Sequence, residues 1–99
     1  MSTAVDIDEK IEQVITTPDR YKVILLNDDH TPMDFVIEIL TSIFKHTPEI
    51  ARDLTMKIHS EGSAVCGVYS FELAEQKSIE ATTLSRNAGF PLQIRIEKD

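Results

Sequence analysis

Val23-Ile24-Leu25-Leu26-Asn27-Asp28-Asp29-His30-Thr31-Pro32-Met33 joins four buried-strand residues to three polar side chains and then to a helix start. A short apolar run bounded by turn formers reads as a strand, and Thr31 as N-cap with Pro32 at the first helical position reads as a helix start. Asn27, Asp28 and Asp29 therefore fall at a strand-to-helix corner, where they present an amide and two carboxylates with no Lys or Arg beside them in sequence. Such a corner suits a cationic ligand. The competing reading is a plain turn in which Asn and Asp bond only local backbone, their commonest use.

Outward from this corner the pattern is that of one compact fold. The strand spans Tyr21 to Leu26, and the helix runs from Pro32 to about Lys45, with Met33, Val36, Ile37, Leu40, Ile43 and Phe44 at helical spacing. A second helix opens on Thr47-Pro48-Glu49, carries Ile50, Ala51, Leu54 and Ile58, has His59 in its last turn and stops at Gly62. A second strand, Ala64 to Tyr69, leads through Ser70 into a third helix with Leu73, Ala74, Lys77, Ala81 and Leu84, ending near Gly89-Phe90-Pro91. In the final strand Leu92, Ile94 and Ile96 alternate with Gln93, Arg95 and Glu97, the mark of a sheet with one face buried. The expected fold is α+β in the order β-α-α-β-α-β, a small three-stranded, largely antiparallel sheet with three helices on one face.

Residues 1 to 19 differ in character. Asp6, Asp8, Glu9 and Glu12 are mixed with Val5, Ile7, Ile11, Val14 and Ile15, and the segment closes on the breaker cluster Thr16-Thr17-Pro18-Asp19. This predicts a flexible acidic extension before a single core domain over 20–99, with helical spacing at Ile7, Ile11 and Ile15 that a partner could exploit.

At 99 residues the chain has room for one core. No apolar stretch approaches the roughly 20 residues that span a bilayer, and the first residues lack the basic and apolar blocks of a secretory signal, so the expected compartment is the cytoplasm. Seventeen acidic side chains against ten basic ones give a formal charge of −7. That disfavours nucleic acid, whose phosphates need clustered Lys and Arg, and favours cationic groups. Cys66 is the only cysteine, which excludes an internal disulfide, and its apolar neighbours Ala64, Val65 and Val68 predict a buried, reduced thiol.

Residues Tyr21 to Val36, reading YKVILLNDDHTPMDFV, resemble the signature of the ClpS adaptors, which deliver N-degron substrates to the ClpA unfoldase of the ClpAP protease. Ile58-His59 followed by Gly62 and Val65-Cys66-Gly67-Val68, and later Pro91-Leu92, are similar to that family in the same order and with matching intervals. The resemblance covers about residues 20 to 99; the extension matches in character and length only.

It implies a pocket that accepts the first side chain of a substrate protein when that residue is Leu, Phe, Tyr or Trp. By motif, Asn27, Asp28 and His59 would hold the free α-amino group, the backbone around Asp29 and Thr31 would hold the peptide, and Met33, Val36, Ile58 and Leu92 would line the pocket. An α-ammonium has three donors and no acceptor, and a carboxylate, an amide oxygen and a neutral imidazole nitrogen suit it. Relatives usually carry methionine at the pocket rim three positions before Ile58; this chain has Thr55, followed by Met56 and Lys57, a shorter and hydroxyl-bearing rim that bears on the choice among the four side chains. The family's unfoldase-docking surface matches Glu72 and Lys77, and the extension would act in handover. No cofactor is implied, and ATP is not expected to bind.

Two other readings remain. Asp28, Asp29, His30 and His59 carry metal-compatible ligand atoms, although no close-spaced ligand motif accompanies them. A purely structural interaction domain of ribosomal-stalk-like fold would show the same element order, and fold alone does not decide function. No nucleophile-base arrangement or phosphate-binding glycine loop points to an enzyme.

Overall fold

The computed structural model describes residues 19–99, so the expected extension, apart from Asp19, lies outside the described residues. Six elements follow in the expected order: β1 Tyr21–Leu26, α1 Met33–Ser42, α2 Pro48–Glu61, β2 Ser63–Tyr69, α3 Phe71–Asn87 and β3 Gln93–Lys98. The strand order is β2-β1-β3, and both pairings are antiparallel.

The central place of β1 accounts for its unbroken apolar run. Side chains alternate across a strand, and Val23 and Leu25, both fully buried, lie in the core cluster with Val36, Ile39 and Leu40 of α1, Ala51 and Ile58 of α2, and Ala74 and Ala81 of α3. Ile24 points the other way but is also buried, with Val65 and Arg95 as its cross-strand neighbours. The three helices thus close over one face of the sheet, and the opposite face keeps the polar positions Lys22, Gln93, Arg95 and Glu97.

Opposite β1, strand β2 carries an irregularity. Val23 faces Gly67 and Ile24 faces Val65, leaving Cys66 as the extra residue of a bulge. A Cβ at Gly67 would run into the Tyr69 ring, so the missing side chain is what lets that ring lie along its own strand.

Two helix starts obey the sequence rules and one does not. Thr47 caps α2, accepting from the Ile50 N–H at 3.3 Å with Pro48 in the first turn, and Ser70 caps α3, accepting from the Leu73 N–H at 3.4 Å. At α1 the expectation of Thr31 as N-cap is corrected: Pro32 occupies that position in extended conformation and offers no side-chain cap. Thr31 is unavailable because its hydroxyl and N–H both bind Asp28. The same helix stops at Ser42 rather than near Lys45; Lys45 takes a left-handed φ of 63° as the chain turns toward α2. Helix α2 ends as expected on Gly62 at φ 96°, whose N–H donates to the Ile58 carbonyl at 2.9 Å.

No helix among the described residues is long and apolar enough to cross a membrane.

Candidate functional site

One backbone bond brings the corner after β1 to the end of α2: the Asn27 N–H donates to the Gly62 carbonyl at 2.9 Å. The left-handed turn at Gly62 presents that carbonyl, so the helix stop that the glycine imposes also sets where Asn27 sits relative to His59 in the last turn of α2.

Between the β1–α1 corner, the first turns of α1 and the second half of α2 lies an open cavity of about 330 Å³. Its lining comprises Asn27, Asp28, Asp29, Thr31, Pro32 and Met33 from the corner, Val36, Thr55 and Ile58 deeper along the helices, and His59 from the last turn of α2. Val36 and Ile58 are buried positions on their helices' apolar faces, so the cavity wall is continuous with the hydrophobic core. Asn27, Asp29 and His59 are exposed, while Met33 is 38% exposed and stands half out of the core.

Asp28 is the most constrained group. Its Oδ1 accepts from the backbone N–H of His30 and of Thr31, each at 2.8 Å, and its Oδ2 accepts from the Thr31 hydroxyl at 2.7 Å. Partial burial pushes its carboxyl up, but the Thr31 hydroxyl, the two backbone N–H groups and nearby His30 outweigh burial and hold it below the usual carboxylate range. Asp28 is therefore an anion across physiological pH, and the three bonds that keep it charged also shape the loop. With Asp29 beside it and no Lys or Arg in the lining, the mouth of the cavity favours a cation.

Of the residues singled out in the sequence, Asn27, Asp28, Asp29, Thr31, Met33, Val36, Thr55, Ile58 and His59 meet at this one cavity. Leu92 does not line it; it is 1% exposed, within the core. Thr55 is placed differently from a rim residue: it is 2% exposed, in the wall, with its hydroxyl donating to the Ala51 carbonyl at 2.8 Å. Pro32 lines the cavity and was missed by sequence reasoning, which assigned it only a helix-starting role; its position next to Thr31 in the quoted run was the available signal.

Glu72 and Lys77 lie elsewhere, on α3. Glu72 is exposed in the first turn. Lys77 is half-buried: its Nζ donates to the Ile43 carbonyl at 2.7 Å and stands 5.7 Å from the Tyr69 ring centroid. Among the described residues no three His, Cys, Asp or Glu side chains cluster so as to hold a metal ion. Cys66 is buried away from the cavity lining, and burial pushes its thiol up to about 12.

A single open sheet backed by three helices, with an acidic mouth over an apolar wall at one corner, defines a small binding domain. The family model described as ATP-dependent Clp protease adaptor protein ClpS matches residues 16–95. Proteins named ATP-dependent Clp protease adapter protein ClpS are similar along most of their length. That of Leptospira biflexa serovar Patoc is 45% identical over 92% of this chain and 80% of the relative. Those of Sodalis glossinidius and Treponema denticola are 41% and 44% identical, over 92% and 89% of this chain and 86% and 87% of the relatives. The structure of Agrobacterium tumefaciens ClpS2 bound to L-phenylalaninamide superposes with a TM-score of 0.81 at 44% identity, over 83% of this chain and 99% of that one. The chain belongs to the ClpS family, adaptors of the ATP-dependent Clp protease.

Proposed function

We propose that this adaptor binds proteins through a free N-terminal residue with a bulky hydrophobic side chain, Leu, Phe, Tyr or Trp, and delivers them to a ClpA-type unfoldase for degradation by ClpP. The observation that carries this reading is the junction, in one cavity, of acceptors Asn27, Asp28 and His59 with the apolar side chains Met33, Val36 and Ile58. An N-terminal residue is the one place in a protein where an ammonium group and a hydrophobic side chain share a carbon atom. L-Phenylalaninamide, the ligand of the Agrobacterium relative, has that same pairing, with an amide where a peptide would continue.

The energetics fit an adaptor that releases its cargo. Hydrogen bonds to a charged group contribute roughly 1.5–3 kcal/mol each, and burial of a Leu or Phe side chain about 1.5–3 kcal/mol. Association entropy offsets much of that sum, leaving on the order of −8 kcal/mol, or micromolar affinity. An acetylated N-terminus lacks the charge and two of the donors, and would leave the acceptors unpaired. In this reading the backbone around Asp29 and Thr31, in the loop that Asp28 shapes through the His30 and Thr31 N–H groups, holds the second residue's peptide groups. Glu72 and Lys77 supply the unfoldase-docking surface, and residues 1–19 act in delivery.

Fluorescence anisotropy tests the reading, using labelled peptides that differ only at the first residue: free Phe, free Leu, free Gly and acetylated Phe, against wild type and His59→Ala. Binding confined to the free bulky residues and weakened by His59→Ala supports it. Binding indifferent to the first residue rejects it in favour of a structural interaction domain. Removal of residues 1–19 is expected to leave peptide binding intact and to abolish ClpA-dependent degradation of a Phe-initiated reporter; normal degradation would remove the extension from the mechanism.

A further inference from the structure

Three side chains form the buried wall of the cavity: Val36, Thr55 and Ile58, each 5% exposed or less. Two are hydrocarbon, and Thr55 brings the wall's one hydroxyl. Its proton is committed, since Oγ1 donates to the Ala51 carbonyl at 2.8 Å. A hydroxyl oxygen that donates in this way keeps its acceptor lone pairs, and among the described residues no N–H or O–H donates to Thr55 Oγ1. The wall therefore contains a buried acceptor with a fixed proton position and spare capacity.

Resting on the N-terminal reading above, we propose that Thr55 Oγ1 accepts a hydrogen bond from the far end of the bound first side chain, so that this cavity favours Tyr and Trp over Phe and Leu. The phenol O–H of Tyr and the indole N–H of Trp are donors at the tip of an otherwise apolar body. In an all-hydrocarbon wall such a donor would be stripped of water without a partner, and Phe or Leu would be preferred. Thr55 reverses that balance. The hydroxyl cannot serve equally well as a donor to the ligand, because the helix holds its proton, so a side chain ending only in an acceptor gains nothing. A net neutral hydrogen bond corresponds to roughly a two- to tenfold preference.

Thr55→Val removes the oxygen while keeping the β-branched shape, and it orphans nothing, because the Ala51 carbonyl is within α2 and accepts along the helix as well. Thr55→Ser keeps the oxygen and removes the methyl. Affinities for peptides identical except for Tyr, Trp, Phe or Leu at the first position, with acetylated Phe as control, are measured for wild type and both variants. The expected result is Tyr bound about fivefold tighter than Phe by wild type and by Thr55→Ser, with the order reversed in Thr55→Val. A Tyr-to-Phe ratio that is the same in wild type and Thr55→Val overturns the inference while leaving N-terminal recognition intact. Failure of wild type to distinguish any free bulky residue from acetylated Phe overturns both. If Thr55→Val does not fold, a wild-type and Thr55→Ser preference for Phe over Tyr is by itself enough to reject the proposal.

Discussion

Thr31 holds Asp28 at both oxygens: its hydroxyl donates to Oδ2 at 2.7 Å and its N–H donates to Oδ1 at 2.8 Å. A residue that would ordinarily cap helix α1 instead fixes the anion at the mouth of the cavity, and Pro32 takes the cap position without supplying a bond. The corner gives up a helix cap, about 1 kcal/mol, and gains a carboxylate of set charge and direction.

The Asp28 carboxyl titrates below its ordinary value, so its stabilising contribution is fully present above the unfolded value near 3.8 and is lost as pH falls through the lower folded one. Thr31→Val removes the side-chain bond that does most to lower that value. The expected outcome is an upward shift in the Asp28 titration followed by carboxyl NMR. At neutral pH the variant should lose about 1–2 kcal/mol of stability, a difference that shrinks as acid protonates Asp28 in both proteins. An Asp28 titration unmoved by the substitution would show that the backbone donors alone set the charge.

With its proposed role in holding the ammonium, Asn27 should separate binding from folding. Its backbone N–H is a structural link to Gly62, but its side chain is exposed and makes no hydrogen bond among the described residues. Asn27→Ala should leave the urea midpoint within the roughly 0.5 kcal/mol expected of a surface change. It should weaken binding of a Phe-initiated peptide about tenfold, through loss of one bond to the ammonium. Unchanged affinity would remove Asn27 from the amine-binding set.

Much of this was legible in the sequence because local rules and packing agreed. The alternation at Leu92, Ile94 and Ile96, the Thr47-Pro48 and Gly62 signals around α2, and the apolar run ending at Leu26 each had one physical solution. The α1 start was misassigned because Thr31 had two possible partners, the helix N–H groups and Asp28, and only the folded loop decides between them. Leu92 and Thr55 show a second limit. An apolar residue carried to a pocket by motif is indistinguishable from core in the sequence itself, and whether a threonine stands at a rim or within a wall is decided by how α1 and α2 pack.

Cys66 offers a readout of global stability. The residue is 2% exposed and its thiol is pushed up to about 12 by burial, so the reactive thiolate is scarce in the native state. Modification by a thiol reagent at pH 8 is expected only through opening of the sheet. The labelling rate should therefore rise with urea in step with unfolding and fall when a Phe-initiated peptide saturates the cavity. Rapid labelling of the native protein, insensitive to urea below the transition, would contradict the buried placement at the β2 bulge.

Glu72 and Lys77, both proposed for unfoldase docking, should behave differently when replaced. Glu72 is exposed at the start of α3 and touches no partner among the described residues, so Glu72→Ala is expected to be neutral in urea denaturation. Lys77 closes the end of α1 by donating to the Ile43 carbonyl at 2.7 Å and covers the Tyr69 ring, so Lys77→Ala exposes a helix-end acceptor and strips packing from an aromatic side chain. A loss of about 1–2 kcal/mol is expected for Lys77→Ala in the isolated protein, without any unfoldase present. Binding to the ClpA N-domain should weaken in both variants, but only the Glu72→Ala loss would report contact free of structural change. If Lys77→Ala proves as stable as wild type, its ammonium is free to leave the Ile43 carbonyl, and the two residues would act alike, as a pair of surface charges facing the unfoldase.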